Sequence, residues 1–124
     1  MQSKIIKEKI SKEELVQIAE EVFGNMVKVD IDIRREILTA GGEWHSEGDD
    51  ILVKDGSSRE DVWGVNFYPW NKPEDRIEYN SLINIKPSLN HKDMEIRDKK
   101  IKEQTRKIIQ ELLLGDNEIL DVQS

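Results

Sequence analysis

Apolar residues in this chain recur at helical spacing near both ends and at every second position between them. Near the start, Leu15, Ile18, Ala19 and Val22 fall on one helical face, with Val16 and Phe23 beside it. Ser11 and Glu14 have the S-x-x-E form of a capping box, Ile10 and Leu15 the spacing of a hydrophobic staple, and Gly24 follows as a stop. The spacing predicts a helix over 12–23. Near the end, Ile101, Thr105, Ile108 and Leu112 share a face, with Ile109 and Leu113 beside it and Gly115 behind. This predicts a helix over 99–114.

Between them the period is two. Residues 4–6 read as a short edge strand. Val27, Val29, Ile31 and Ile33 alternate with Lys28, Asp30 and Asp32, as in a strand with one buried and one wet face. Arg34-Arg35 reads as a turn without Gly or Asn, and EILTAGGEW as a second strand loosening at Gly41-Gly42. WHSEGDD reads as a polar loop and DILVKDGSS as a short strand ending in an Asp-Gly turn. In the strand over 61–68, Trp63, Val65 and Phe67 face one side; Val62, Gly64, Asn66 and Tyr68 face the other. A hairpin loop with Pro69 and Pro73 leads to a strand over 76–86. Short connections favour an antiparallel meander of about five strands, with the N-terminal and C-terminal helices packed on one face. That is an α+β two-layer sandwich, with a partly closed barrel as the alternative. Residues 1–115 read as one α+β domain. Residues 116–124 read as an acidic tail that frays, although Ile119, Leu120 and Val122 are available to dock.

Composition narrows the function classes. The 124 residues include no cysteine, which excludes disulfides, thiolate metal sites and Cys nucleophiles and suits a cytoplasmic location. MQSKIIKEKI is not a signal peptide, and no apolar run approaches the roughly 18 residues of a membrane span. The net charge of −7 argues against general nucleic-acid binding. Segment 91–107 runs against that balance, with seven Lys/Arg against four acids. It is either a solvated helix face or a basic edge for an acidic partner or a second copy.

The run GGEWH (41–45), DGS (55–57), Asp61 two positions before WGVN (63–66), SLINIKP (81–87) and Asn90 resembles a family of small prokaryotic proteins catalogued as a domain of unknown function. The resemblance covers the chain from the first helix to the last. Trp44 stands where that family is expected to carry an aliphatic residue, and His91-Lys92-Asp93 where it is expected to carry a shorter basic-polar run. The resemblance implies a self-contained α+β domain and no particular reaction, cofactor or substrate.

Asn66 and Asn84 sit inside apolar runs that strands usually keep free of carboxamides, so each needs hydrogen-bond partners. Paired strands would place both on one face with Glu78, Asn80 and Lys86, near Ser81. Such a face is either a shallow polar-ligand site or a solvated surface. His45 lies two residues from Glu43, the spacing that lets a carboxylate orient an imidazole as a general base. No Ser or Thr is visibly partnered as a nucleophile. His45, Glu47, Asp49 and Asp50 cluster, but without EF-hand or zinc spacing, and no phosphate loop occurs, so no metal or cofactor is expected. Trp63 reads as core, while Trp70 is either an exposed anchor or folded back over the sheet edge. The favoured expectation is a non-enzymatic protein-binding or self-associating module, a homodimer. The alternative is a polar-ligand-binding protein or small enzyme using His45 and Glu43 with Asn66 and Asn84.

Overall fold

Strand alternation decides which side chains meet which layer of this molecule. The computed structural model describes residues 2–121. Five antiparallel strands, β1 (Lys4–Ile6), β2 (Val27–Asp32), β3 (Ile37–Ala40), β4 (Val62–Phe67) and β5 (Ile77–Glu78), form one open sheet in the order β1-β3-β2-β4-β5. This α+β sheet is not a simple meander. The chain leaves β3 through a helix and returns to pair β4 with β2, in the register Val29↔Val65 and Ile31↔Trp63. Asp32 closes the β2–β3 turn in place of Gly or Asn, its Oδ1 accepting from the Arg34 and Arg35 N–H groups.

One sheet face carries Val27, Val29, Ile31, Leu38, Ala40, Trp63, Val65 and Phe67. Against it pack Leu15, Ile18 and Ala19 of α1 (Lys12–Val22) and Ile108, Ile109 and Leu112 of α3 (Lys99–Leu112). Both expected helices therefore share one face. Ser11 and Asp98 cap their N-termini, accepting from Glu14 N–H and from Lys100 and Ile101 N–H.

The opposite face departs from expectation. It is only partly wet, because α2 (His45–Lys54) covers the stretch around Asp30, Thr39 and Val62. This helix replaces the expected loop at 44–50 and the strand expected from 50 onward, and it ends in the expected Asp55-Gly56 turn. Its buried residues His45, Gly48, Asp49 and Leu52 repeat at helical spacing, and Leu52 packs with Ile37 and Val62. The short run DILVK fits either period, and the buried helix face decided the outcome. A third layer is thus added to the expected two.

The expected strand over 76–86 also shrinks. Only Ile77 and Glu78 pair with β4, after which the chain turns into short 3-10 segments at Leu82–Asn84 and Pro87–Leu89. Ser81 opens the first by accepting from the Ile83 N–H. Residues 116–121 form no helix or strand, yet Leu120 is 6% exposed within the main core. Trp70 folds back, its Nε1 donating to the Asp121 carbonyl at 2.8 Å. Ile119 is exposed, and Val122 lies outside the described residues. Among the described residues no helix is long and apolar enough to cross a membrane.

Candidate functional site

The site begins with a charge where the alternation of β2 puts a polar residue. Asp30 points to the α2 side of the sheet and is 1% exposed. Burial drives its carboxyl from an ordinary value of 3.8 up to about 6, opposed by a hydrogen bond and the charge of His45. Its Oδ1 lies 2.7 Å from His45 Nδ1, and the Thr39 hydroxyl donates to Oδ2 at 3.5 Å.

Two glycines make this contact possible. A Cβ on Gly48 would lie 2.1 Å from Asp30 Oδ2 and 2.3 Å from Thr39 Oγ1. α2 can settle on the sheet only with hydrogen at that position. A Cβ on Gly64 would lie 3.0 Å from His45 Nδ1 and 2.8 Å from Ser81 Oγ, so β4 is bare where the imidazole and the serine flank it.

The other ring nitrogen meets the sheet. His45 Nε2 is 3.0 Å from Asn66 Oδ1. Lys28 Nζ also donates to Oδ1 at 3.4 Å, and Asn66 Nδ2 donates to Glu78 Oε1 at 2.7 Å. These flanking charges set the carboxamide's orientation. Turned over, it would put its NH₂ against an ammonium and its oxygen against a carboxylate. Nε2 therefore carries hydrogen and donates to Oδ1. Below about pH 6 burial keeps the proton on Asp30, whose hydroxyl then donates to the bare Nδ1, and the pair carries no charge, which suits its burial.

The imidazole floors a cleft of about 600 Å³ lined by Lys28, Asn66, Glu78, Asn80 and Ser81, with Trp44, Leu82, Ile83 and Met94 as an apolar wall. Trp44 is 63% exposed and Leu82 70%. This volume and mixture suit a small molecule.

Of the residues singled out from sequence, His45, Asn66, Glu78, Asn80 and Ser81 meet at this cleft. Glu43 is exposed and is not His45's partner; Asp30 takes that role from the neighbouring strand. The spacing argument for Glu43 assumed a strand, whereas His45 begins a helix. Asn84 lies behind the cleft, fully buried. Its Oδ1 accepts from the Gly64 N–H at 2.8 Å, and its Nδ2 donates to the carbonyls of Gly64 and Met94, both at 2.9 Å. It pairs the β4 peptide that the short β5 leaves open. Lys86 is turned away, donating to the carbonyls of Arg59 and Ile83, with burial pushing its ammonium below the usual lysine value. Asp49 and Asp50 both bind Arg59, and no group of three metal-ligating side chains converges among the described residues.

A family model described as a protein of unknown function (DUF5674) matches residues 4–112. The chain belongs to the DUF5674 family. No curated protein and no solved structure matches it. The matched region of this DUF5674 protein holds every residue of the Asp30–His45–Asn66–Glu78 chain and of the cleft wall.

Asp30, Lys28, Gly48 and the wall residues escaped sequence reasoning. One signal was present: His45, Gly48, Asp49 and Leu52 have the i, i+3, i+4, i+7 spacing of a buried helix face.

Proposed function

We propose that this DUF5674 protein binds a small molecule in the cleft between α2 and the 78–83 segment, with His45 as a proton-exchanging group. The observation that carries this is the hydrogen-bonded chain Asp30–His45–Asn66–Glu78 on the cleft floor. Asp30 holds one ring nitrogen, and the other donates its N–H to Asn66 at the floor, so a ligand that displaces the Asn66 oxygen meets a proton donor. Ser81 is not placed as a nucleophile: both His45 ring nitrogens are taken by Asp30 and Asn66, and the Ser81 Oγ accepts from the Ile83 N–H of its own turn. A fragment screen followed by amide NMR tests the reading. Shifts concentrated at 28, 44–46, 66, 78–83 and 94 are expected. Hits that map elsewhere, or no hits, would overturn it.

A second reading, self-association as a homodimer, draws support from the exposed Trp44, Leu82 and Met94 around the same cleft. The features first held to favour a dimer contribute less. Trp70 is turned inward, and Arg97, Lys102 and Arg106 pair with acids of their own chain. Sedimentation at high protein concentration decides it: only monomer would sink the dimer. A cytoplasmic location is proposed on the cysteine-free sequence alone.

A further inference from the structure

Lys28, Asn66 and Glu78 form one row across three strands. Lys28 opposes Asn66 between β2 and β4, and Asn66 opposes Glu78 between β4 and β5. Directly opposed residues share a sheet face, so all three rise on the face that carries His45. The row is polarised: the ammonium binds the oxygen of the Asn66 carboxamide and the carboxylate binds its nitrogen. Opposite charges this near usually close into an ion pair. Among the described residues neither has an ion-pair partner. Lys28 Nζ lies over the Phe23 ring, 5.4 Å from its centre, and Asn66 wedges between the poles. Two hydrogen bonds and one carboxamide laid end to end allow the poles a separation of up to roughly 8 Å.

We propose that the cleft takes a free α-amino acid with an apolar side chain. The inference rests on the small-molecule reading above and narrows it. An α-amino acid carries opposite charges about 3 Å apart, and one hydrogen bond at each end extends that to roughly 8 Å. Its carboxylate accepts from Lys28, whose ammonium has three donors, and its ammonium donates to the Glu78 carboxylate. The side chain lies against Trp44, Leu82, Ile83 and Met94, which share the cleft with both charges. A ligand with one charge leaves one pole unanswered, and an uncharged one leaves both. The row therefore discriminates by charge separation and the wall by apolar bulk.

The test is an amide NMR titration with L-phenylalanine and L-leucine, alongside N-acetyl-L-phenylalanine and L-phenylalaninamide. The free amino acids should shift residues 28, 44–46, 66, 78–83 and 94, and each blocked derivative should bind about tenfold or more weakly. Lys28→Gln should weaken L-phenylalanine while leaving the amide unchanged. Glu78→Gln should weaken L-phenylalanine while leaving the N-acetyl compound unchanged. Equal binding of blocked and free forms would overturn the proposal, leaving an apolar slot. No binding of any of the four, with fragments still mapping to the cleft, would overturn it and leave the small-molecule reading standing. Fragments that avoid the cleft would remove both.

Discussion

Asp30 is the residue on which the site turns, because its charge is placed where water cannot reach it. Its carboxyl keeps a proton to about pH 6, against an ordinary value of 3.8. Between those values the folded chain holds a proton that the unfolded chain has released. Stability contributed by this group is therefore complete below about pH 3.8, falls as pH rises, and is lost above about 6. Asn at this position has no charge to bury, and its NH₂ can donate to His45 Nδ1, which is bare in the neutral Nε2–H tautomer. Asp30→Asn should therefore gain on the natural chain between pH 4 and pH 7, by on the order of 3 kcal/mol. Urea denaturation of both proteins across that range measures it. Parallel curves would show that Asp30 meets more water than its position allows.

α2 is the element that turns a half-wet sheet into a site, and Gly48 decides whether it seats. Gly→Ala in a helix interior ordinarily stabilises by about 1 kcal/mol. Here the added Cβ would lie 2.1 Å from Asp30 Oδ2, and overpacking of this kind costs about 1–3 kcal/mol or more. The clash wins, so Gly48→Ala should lower the denaturation midpoint and shift the His45 ring resonances. A raised midpoint would mean that α2 rides clear of the sheet. The same helix shows where the sequence was legible. α1, α3 and the long strands could be read because each has one apolar face and a capping or stop signal. α2 could not, because its buried face includes His45, Gly48 and Asp49, and polar residues at helical spacing look like a loop. β5 failed for a different reason. The alternation from Ile77 to Ile85 is real in the sequence, but Ser81 and Asn84 spend their hydrogen bonds ending the strand. His45 and Asn66 were legible as chemistry, and Glu78 as sharing Asn66's face, whereas Asp30 and Lys28 became visible only through register. Register is a property of paired strands that no single strand displays.

The layers are held together from the sheet outward and from the tail inward. Trp63 of β4 sits at 1% exposure in the main core, so Trp63→Ala should cost about 3–5 kcal/mol, read as a lower midpoint at unchanged slope. The tail acts at the other end of the molecule. Arg76 is buried, and its guanidinium donates to the carbonyls of Asn71, Gly115 and Glu118. Lys9 pairs with Glu118, and Trp70 with the Asp121 carbonyl, so residues 116–121 tie the hairpin to the start of α1. Most of this tie lies beyond residue 112, where the family match ends. Removing 116–124 would take Leu120 out of the core and leave one arm of a buried guanidinium without its acceptor. Burial of one leucine is worth about 1.5–3 kcal/mol, and an orphaned buried donor costs about 1–3 kcal/mol. The truncated chain should therefore lose on the order of 3 kcal/mol by chemical denaturation, and Leu120→Ala in the full chain should reproduce much of the loss. An unchanged midpoint after truncation would show that the tail frays in solution and that Arg76 finds water instead.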